Sequence, residues 1–400
     1  MKNIFTLVAT MGSLLLITTV TVLYSEGWRL DKSQDSDANI ISQAVIKKTG
    51  MIAIRSVPDS AKVYIDGELV TATDDTISAL TPGTHQVEVK KEGFEPWAKA
   101  INVYPELVTD ITAVLVLQSP RLEPLTNTDV KAYALSNNQN NIAFLTANHT
   151  QPGIWMLPLS GTPLNIFRNN TRLLIADTVF AAPSLGQNIW WSPDDKEILV
   201  QMNATGYLLY KVPEQNGANV TPKSVTKVYE VKARWNETWK TDFLVPKLNA
   251  IKQNQDIPEL VLQHAQNETT TWSPDDEKFF FLNQNSDNSK EYDLVVYNSE
   301  TPLPVSEERL YSTIKITNPE NIKIYWYSDS YHLILVEKVD AQSKYYTVSL
   351  IRIDGSNRTT IYTGTLDSDQ AYTTPQGDKI VVMTSLKDGG SSNLYAISIR

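Results

Sequence analysis

The chain has 400 residues, a formal net charge of -10 and no cysteine. At ~100 to 200 residues per domain it is long enough for more than one unit, and 42% hydrophobic against 20% charged residues excludes disorder for the bulk of it. The acidic balance argues against a general binder of nucleic-acid backbones, and the missing thiols exclude disulfides, thiolate metal sites, Cys nucleophiles and acylated-cysteine anchors.

Residues 4–24, IFTLVATMGSLLLITTVTVLY, carry no charge. At ~1.5 Å per residue they reach about 31 Å, the thickness of a bilayer's hydrocarbon core, so a transmembrane helix is predicted. Thr6, Thr10, Thr18, Thr19 and Thr21 dilute its hydrophobicity, although their hydroxyls can bond to the helix's own carbonyls. No small-residue cleavage site follows, which points to an uncleaved signal anchor. Lys2 and the α-amine on one flank nearly balance Arg29 and Lys32 on the other. The short leading segment puts the expected N-terminus inside and the body in the extracytoplasmic space. Residues 25–49 lack periodicity and read as a tether.

Residues 50–118 switch to short alternating runs, MIAIRSV, AKVYIDG, HQVEVKKEG and INVYPELVTDITAVLVL. Five or six antiparallel strands and no helix are predicted. Asp66-Gly67 signals a hairpin, and Pro82-Gly83 a turn that launches the next strand. SVPDSAKVYIDG and LTPGTHQVEVKKEGF resemble the PEGA domain, a β-sandwich module of bacterial envelope proteins. Ser60 stands where that family has a turn glycine, and VTATDDT replaces its usual Gly-x-Thr-Pro. The resemblance implies a spacer or binding module without catalytic residues, which leaves His85 as a strand-face residue.

Residues 119–400 repeat one phrase: an aromatic, Ser or Thr, a turn, then a hydrophobic run. It occurs as YALSNNQNNIAFL, WWSPDDKEILVQM, TWSPDDEKFFFL, WYSDSYHLILVE and YTTPQGDKIVVM. Aligned on Ser136, Ser192, Ser273, Ser328 and Thr374, the run starts one residue early only after Ser328. A second β-run follows each phrase, so each unit reads as several antiparallel strands of a β-propeller. The phrase resembles the TolB-like and WD-type propeller repeat, with SPDD in place of its SPDG. Trp191, Trp272 and Tyr327 are expected between blades, with Ser and Asp side chains capping the turns. At ~40 to 45 residues per blade the segment suits about six blades, closed by residues 121–126 beside residues 393–400. The long interval between Ser192 and Ser273 holds an insertion near residues 225–266. There Trp235, Trp239, Phe243, Leu244, Leu248 and Ile251 fall at helical spacing, and Pro246 is expected to break or kink the helix. Asp256-Ile257-Pro258 reads as the N-cap and first turn of a second helix. A divergent blade is the alternative.

Catalytic signatures such as GxSxG, HExxH, GxxxxGK and GxGxxG are absent from the sequence. His85, His149, His264 and His332 stand singly, without ligand spacing. Asp194 and Asp275 invite a catalytic or calcium role, but recurrence at one repeat position marks them as turn residues. Asp367, Asp369 and Gln370 offer oxygens to calcium, an arrangement that more often faces water. Asn-x-Thr triplets at Asn148, Asn169, Asn203, Asn219, Asn236, Asn267 and Asn357 number about what chance gives. No catalytic, cofactor or metal residue is therefore assigned. The sequence points to a mainly β, non-catalytic binding or scaffold protein of the bacterial envelope, anchored in the lipid bilayer through residues 4–24. Its propeller loops would meet a protein, peptide or glycan. The alternative is a propeller hydrolase or lyase acting on envelope glycan or peptide.

Overall fold

The computed structural model describes residues 2–25, 28–32, 44–159, 171–214, 220–252, 257–267, 270–285, 290–340, 343–387 and 389–400. The chain is mainly β and divides into two compact units, Met1–Leu115 with Thr301–Glu308 and Val116–Glu300 with Arg309–Arg400. Helix α1 spans Lys2–Ser25 and is long and apolar enough to cross a membrane. Its threonines are internally satisfied: Thr18 and Thr19 hydroxyls donate to the Leu14 and Leu15 carbonyls at 2.8 Å, and Thr21 to Ile17 at 2.7 Å. The expected plain tether instead contains a two-stranded antiparallel ribbon, Trp28–Lys32 with Ala44–Lys48.

The small β-domain has seven strands, more than the alternation predicted. One sheet orders Asp75–Leu80, Gly50–Val57 and Val108–Val114; the other orders Glu68–Ala72, Lys62–Ile65, Gly83–Lys90 and Trp97–Val103. Antiparallel pairing was expected throughout, but Gly50–Val57 and Val108–Val114 run parallel. Alternation fixes which face is buried and not strand direction, because both ladder types share the two-residue side-chain period. Ile52, Ile54, Val63, Val87, Val89, Trp97 and Ile101 form the core.

Among its described residues the second unit contains five four-stranded antiparallel sheets, blades I to V. Blade I comprises Val130–Leu135, Asn141–Thr146, Gly153–Pro158 and Arg172–Ala176, and blade II Asn188–Trp191, Glu197–Gln201, Tyr207–Lys211 and Lys223–Val225. Blade III comprises Thr271–Trp272, Lys278–Gln284, Tyr292–Asn298 and Leu310–Ile316, and blade IV Ile322–Trp326, His332–Lys338, Tyr345–Arg352 and Thr359–Thr365. Blade V takes Ala371–Thr373, Lys379–Thr384 and Asn393–Ser398 from the C-terminus and Arg121–Pro124 from the start of the unit. The predicted closure is therefore present, with Arg121 opposite Ser398 and Pro124 opposite Tyr395.

About six blades were expected, and the described residues form five. Three helices follow blade II: α2, Val228–Trp239; α3, Val245–Lys252; and α4, Glu259–Ala265. Dividing length by blade size counted these helical residues as strand. The helices occupy a blade's place, because each strand offers alternate side chains to opposite faces. Ile198, Val200 and Tyr210 of blade II pack toward blade I, while Leu199, Leu209 and Val225 meet Trp235 of α2. Phe280, Leu294 and Val296 of blade III pack toward blade IV, while Phe279, Phe281, Val295 and Tyr297 meet Ile251, Val261 and Ala265 of α3 and α4. Blades I and V share the cluster of Phe144, Leu157, Val381 and Leu394. Blades IV and V are joined where the Tyr327 hydroxyl donates to the Gly377 carbonyl and Tyr325 to that of Asp369. Five sheets and one helical sector thus complete a ring.

Pro246 does not split the insertion into separate helices. A π-helical turn, Lys240–Leu244, joins α2 to α3, with the Val245 N–H donating to the Lys240 carbonyl. This wider turn ends two residues before Pro246, which lacks an N–H donor, and it absorbs the proline at a register change. Helix α4 begins at Glu259, after Pro258; the expected cap Asp256 lies outside the described residues.

Candidate functional site

The repeated phrase builds one turn five times. The first-position N–H donates to the carbonyl five residues on, as in Ser192 to Glu197 at 2.9 Å and Ser273 to Lys278 at 2.9 Å. In blade IV the same bonds start at Tyr327, to His332 at 3.0 Å, so Tyr327 and not Ser328 takes the Ser position. All five turns therefore have one length, and the early start after Ser328 disappears. The fourth residue has positive φ in every blade: Gln139 58°, Asp195 58°, Asp276 63°, Ser330 60° and Gly377 66°. Only blade V places glycine there. Side chains supply the caps: Ser192 Oγ accepts the Glu197 N–H at 2.8 Å, and Asp194 Oδ1 accepts the Ser192 hydroxyl at 2.7 Å.

Aromatics tie the turns to their neighbours. Trp191 donates its indole N–H to Ala134 of blade I at 3.1 Å, and Trp326 to Thr271 of blade III at 3.0 Å. Trp272 packs on Phe279, ring centroids 4.8 Å apart, and against the cluster that blade III shares with the helical sector. Toward the axis, Tyr133 and Tyr325 lie 5.6 and 5.9 Å from Tyr372, bringing blades I, IV and V together. Burial lifts all three phenol pKa values, so these hydroxyls stay protonated, those of Tyr133 and Tyr325 as donors to the Gln370 and Asp369 carbonyls. Asp367 pairs with Lys344 at 3.1 Å and accepts the Ser392 hydroxyl at 2.8 Å. Of the residues considered for calcium, Asp367 engages Lys344 and Ser392 through its carboxylate, while Asp369 and Gln370 accept tyrosine hydroxyls through their backbone carbonyls.

At one end of the ring the five turns converge on a cavity of about 650 Å³. Asn138, Asp194, Asp276, Ser328 and Pro375 stand for blades I to V in its wall. Trp239, Phe243 and Lys247 line it from the helical sector. The insertion's apolar face is divided: Trp235 and Ile251 are buried against the blades and Leu244 is buried too, while half-buried Trp239 and Phe243 meet the cavity. Sequence spacing found these residues and could not divide them.

The carboxylates at the cavity are engaged. Asp195 accepts the Asn137 and Asn138 N–H groups of blade I at 2.6 and 2.9 Å. Burial still raises its pKa against those two donors, while Asp194, despite burial, is held low by the Ser192 hydroxyl and the Lys196 N–H. Neighbouring carboxyls pushed apart can divide acid and base roles. Here, however, both Asp195 oxygens hold the adjacent turn. Asp276 pairs with Lys247 at 2.6 Å. Nearby, Asp275, Glu277 and Glu300 lie close enough to share a metal ion, but the buried Lys278 ammonium bonds Asp275 at 2.9 Å and also Glu300. The protein supplies its own cation there.

The sequence of residues 49–119 matches the PEGA domain family, over the seven-stranded unit with its Asp66-Gly67 hairpin. Residues 49–119 form a PEGA domain. No curated protein matches the chain in sequence. Solved structures similar to it include TolB from Acinetobacter baumannii, at 14% identity over 79% of this chain and 59% of that one, TM-score 0.26. The chain thus spans about three fifths of that relative's length. A putative TolB from Agrobacterium tumefaciens is 13% identical over 70% of this chain and 91% of that one, TM-score 0.23. The RRP9 WD40 repeats are 8% identical over 71% and 99%, TM-score 0.33.

Within the PEGA domain Ser60, at the position of the family's turn glycine, has positive φ, 58°. His85 clamps the hairpin: its Nδ1 lies 2.7 Å from Asp66 Oδ2 and its Nε2 2.8 Å from the Thr81 carbonyl. Outside the domain, His149 lies against Trp155, His264 stacks on Phe281, both at 3.9 Å, and His332 pairs with Asp329 at 2.7 Å. The four histidines occupy four separate environments.

Proposed function

We propose that this is a membrane-anchored, extracytoplasmic binding or scaffold protein of the bacterial envelope, with a non-catalytic ring cavity as its binding site. The convergence of all five repeat turns and the Trp239–Phe243 helical face on one cavity carries this reading. The carboxylates there hold neighbouring turns or lysines, an arrangement that favours display over proton transfer. Helix α1 provides a span for the bilayer, and the PEGA domain lies between it and the ring in sequence. The partner is an envelope protein, peptide or glycan.

A photo-crosslinking amino acid placed at Trp239 of the full chain in cells tests this. Adducts with an envelope component, missing when the same group replaces exposed Tyr229, are the expected result. Turnover of envelope glycan or peptide by the purified chain, lost in Asp195→Asn, would establish the hydrolase or lyase alternative.

A further inference from the structure

Lys247 shows which chemistry the cavity accepts. Its Nζ lies 2.6 Å from Asp276 Oδ1 and 5.3 Å from the Trp272 ring centroid. A carboxylate beside an aromatic face attracts a cation through both charge and ring quadrupole. Its side chain is 14% exposed and that of Asp276 61%, so the ammonium is sheltered while its partner still opens to solvent. Lys247 follows Phe243 by four residues and Trp239 by eight, which puts all three on the cavity side of the helical sector. The lining carries Asp194, Asp195 and Asp276 against this one lysine, and Lys196 beside the lining pairs with Asp194 at 3.4 Å, which leaves the acidic side in excess. An acidic segment would meet net repulsion there. A cavity of 650 Å³ is far larger than one ammonium group and of a size for several residues of extended chain. The indole N–H of Trp272 is also buried without an acceptor among the described residues.

Building on the binding role proposed above, we infer that the cavity takes a basic peptide segment of a partner protein. A lysine or arginine of that segment displaces Lys247 from the Asp276–Trp272 pair. Lys247 is then an internal competitor that keeps the site closed to weakly basic chains.

The test uses the full chain in neutral detergent, followed by tryptophan fluorescence with pentalysine, pentaglutamate and maltopentaose. Pentalysine should bind, more weakly as salt is raised. Its affinity should rise about tenfold in Lys247→Ala and fall about tenfold in Asp276→Asn. Lys247→Met, which keeps the aliphatic stem on Trp272, should repeat the gain, and matching thermal transitions exclude misfolding as the cause. Equal binding of pentaglutamate or maltopentaose, or pentalysine affinity unchanged in these variants, would overturn the inference. If crosslinking from Trp239 finds a partner while pentalysine shows no preference, only the basic-segment inference falls. If no partner is crosslinked, the binding role itself falls.

Discussion

A left-handed backbone at the fourth turn residue costs a non-glycine roughly 1 kcal/mol or more, yet four of the five blades accept it with Gln139, Asp195, Asp276 or Ser330. Three of these side chains recover the cost elsewhere: Asp195 caps the turn of blade I, the Ser330 hydroxyl accepts the Asp275 N–H of blade III at 3.1 Å, and Asp276 holds Lys247. Gly377 is different because a Cβ there would lie 2.4 Å from Ser328 Oγ. The SPDD pattern was legible as a turn in sequence, whereas these exchanges were not, since each partner belongs to another sector. In the PEGA domain, the Gln86 N–H and His85 lower the Asp66 pKa. Burial opposes the His85 imidazolium, but the Thr81 carbonyl and Asp66 together lift its pKa above the ordinary 6.5. The His85 contribution is therefore complete below pH 6.5 and lost as pH rises through the folded-state value. The Asp66 contribution is complete above 3.8, its ordinary value, and lost as pH falls through its lowered one. Urea unfolding of the intact chain should show His85→Gln more destabilising at pH 5.5 than at pH 8.5.

Each blade's second strand starts with a polar residue: Asn141, Glu197, Lys278, His332 or Lys379. Hydrophobic runs identified the strands that follow, but not why Lys278, His332 and Lys379 are buried. Their partners explain it. Lys379 meets Glu123 of the closing strand at 2.7 Å, His332 meets Asp329, and Lys278 meets Asp275 and Glu300. The Tyr331 hydroxyl donates to Glu300 at 2.6 Å, and its ring lies 4.2 Å from Lys278 Nζ. Burying a charge is tolerable only when it is paired, and removing one partner strands the other. Lys278→Met should cost about 3–5 kcal/mol in chemical denaturation, and Lys278→Met/Glu300→Gln should recover most of that loss. Equal losses in the single and double variants would show that the charges are not coupled.

At the scale of the ring, the helical sector covers two sheet faces that would otherwise be apolar and wet. Arg234 and Trp235 of α2 bind Glu197 of blade II at 2.7 and 2.8 Å, and Lys247 of α3 binds Asp276 of blade III. Replacing residues 226–268 with a short linker should therefore abolish soluble, cooperative folding, because Leu199, Leu209, Phe279, Phe281 and Tyr297 lose their cover. A wild-type thermal transition in that deletion would reduce the helices to an ornament.

The apolar N-terminal segment, the two β-units, the repeat phrase and the closing strands were legible along the chain, and so was the helical spacing of the insertion, which left a divergent blade open until the folded molecule showed helices. Each depends on side-chain periodicity or turn chemistry within a few residues, which local sequence determines. Blade number, the parallel strand pair of the PEGA domain, the alignment of Tyr327 and the cavity required the folded molecule. These depend on which segments meet across long sequence separations, and Trp239, Phe243, Lys247, Trp272 and Asp276 become one site only when the ring closes.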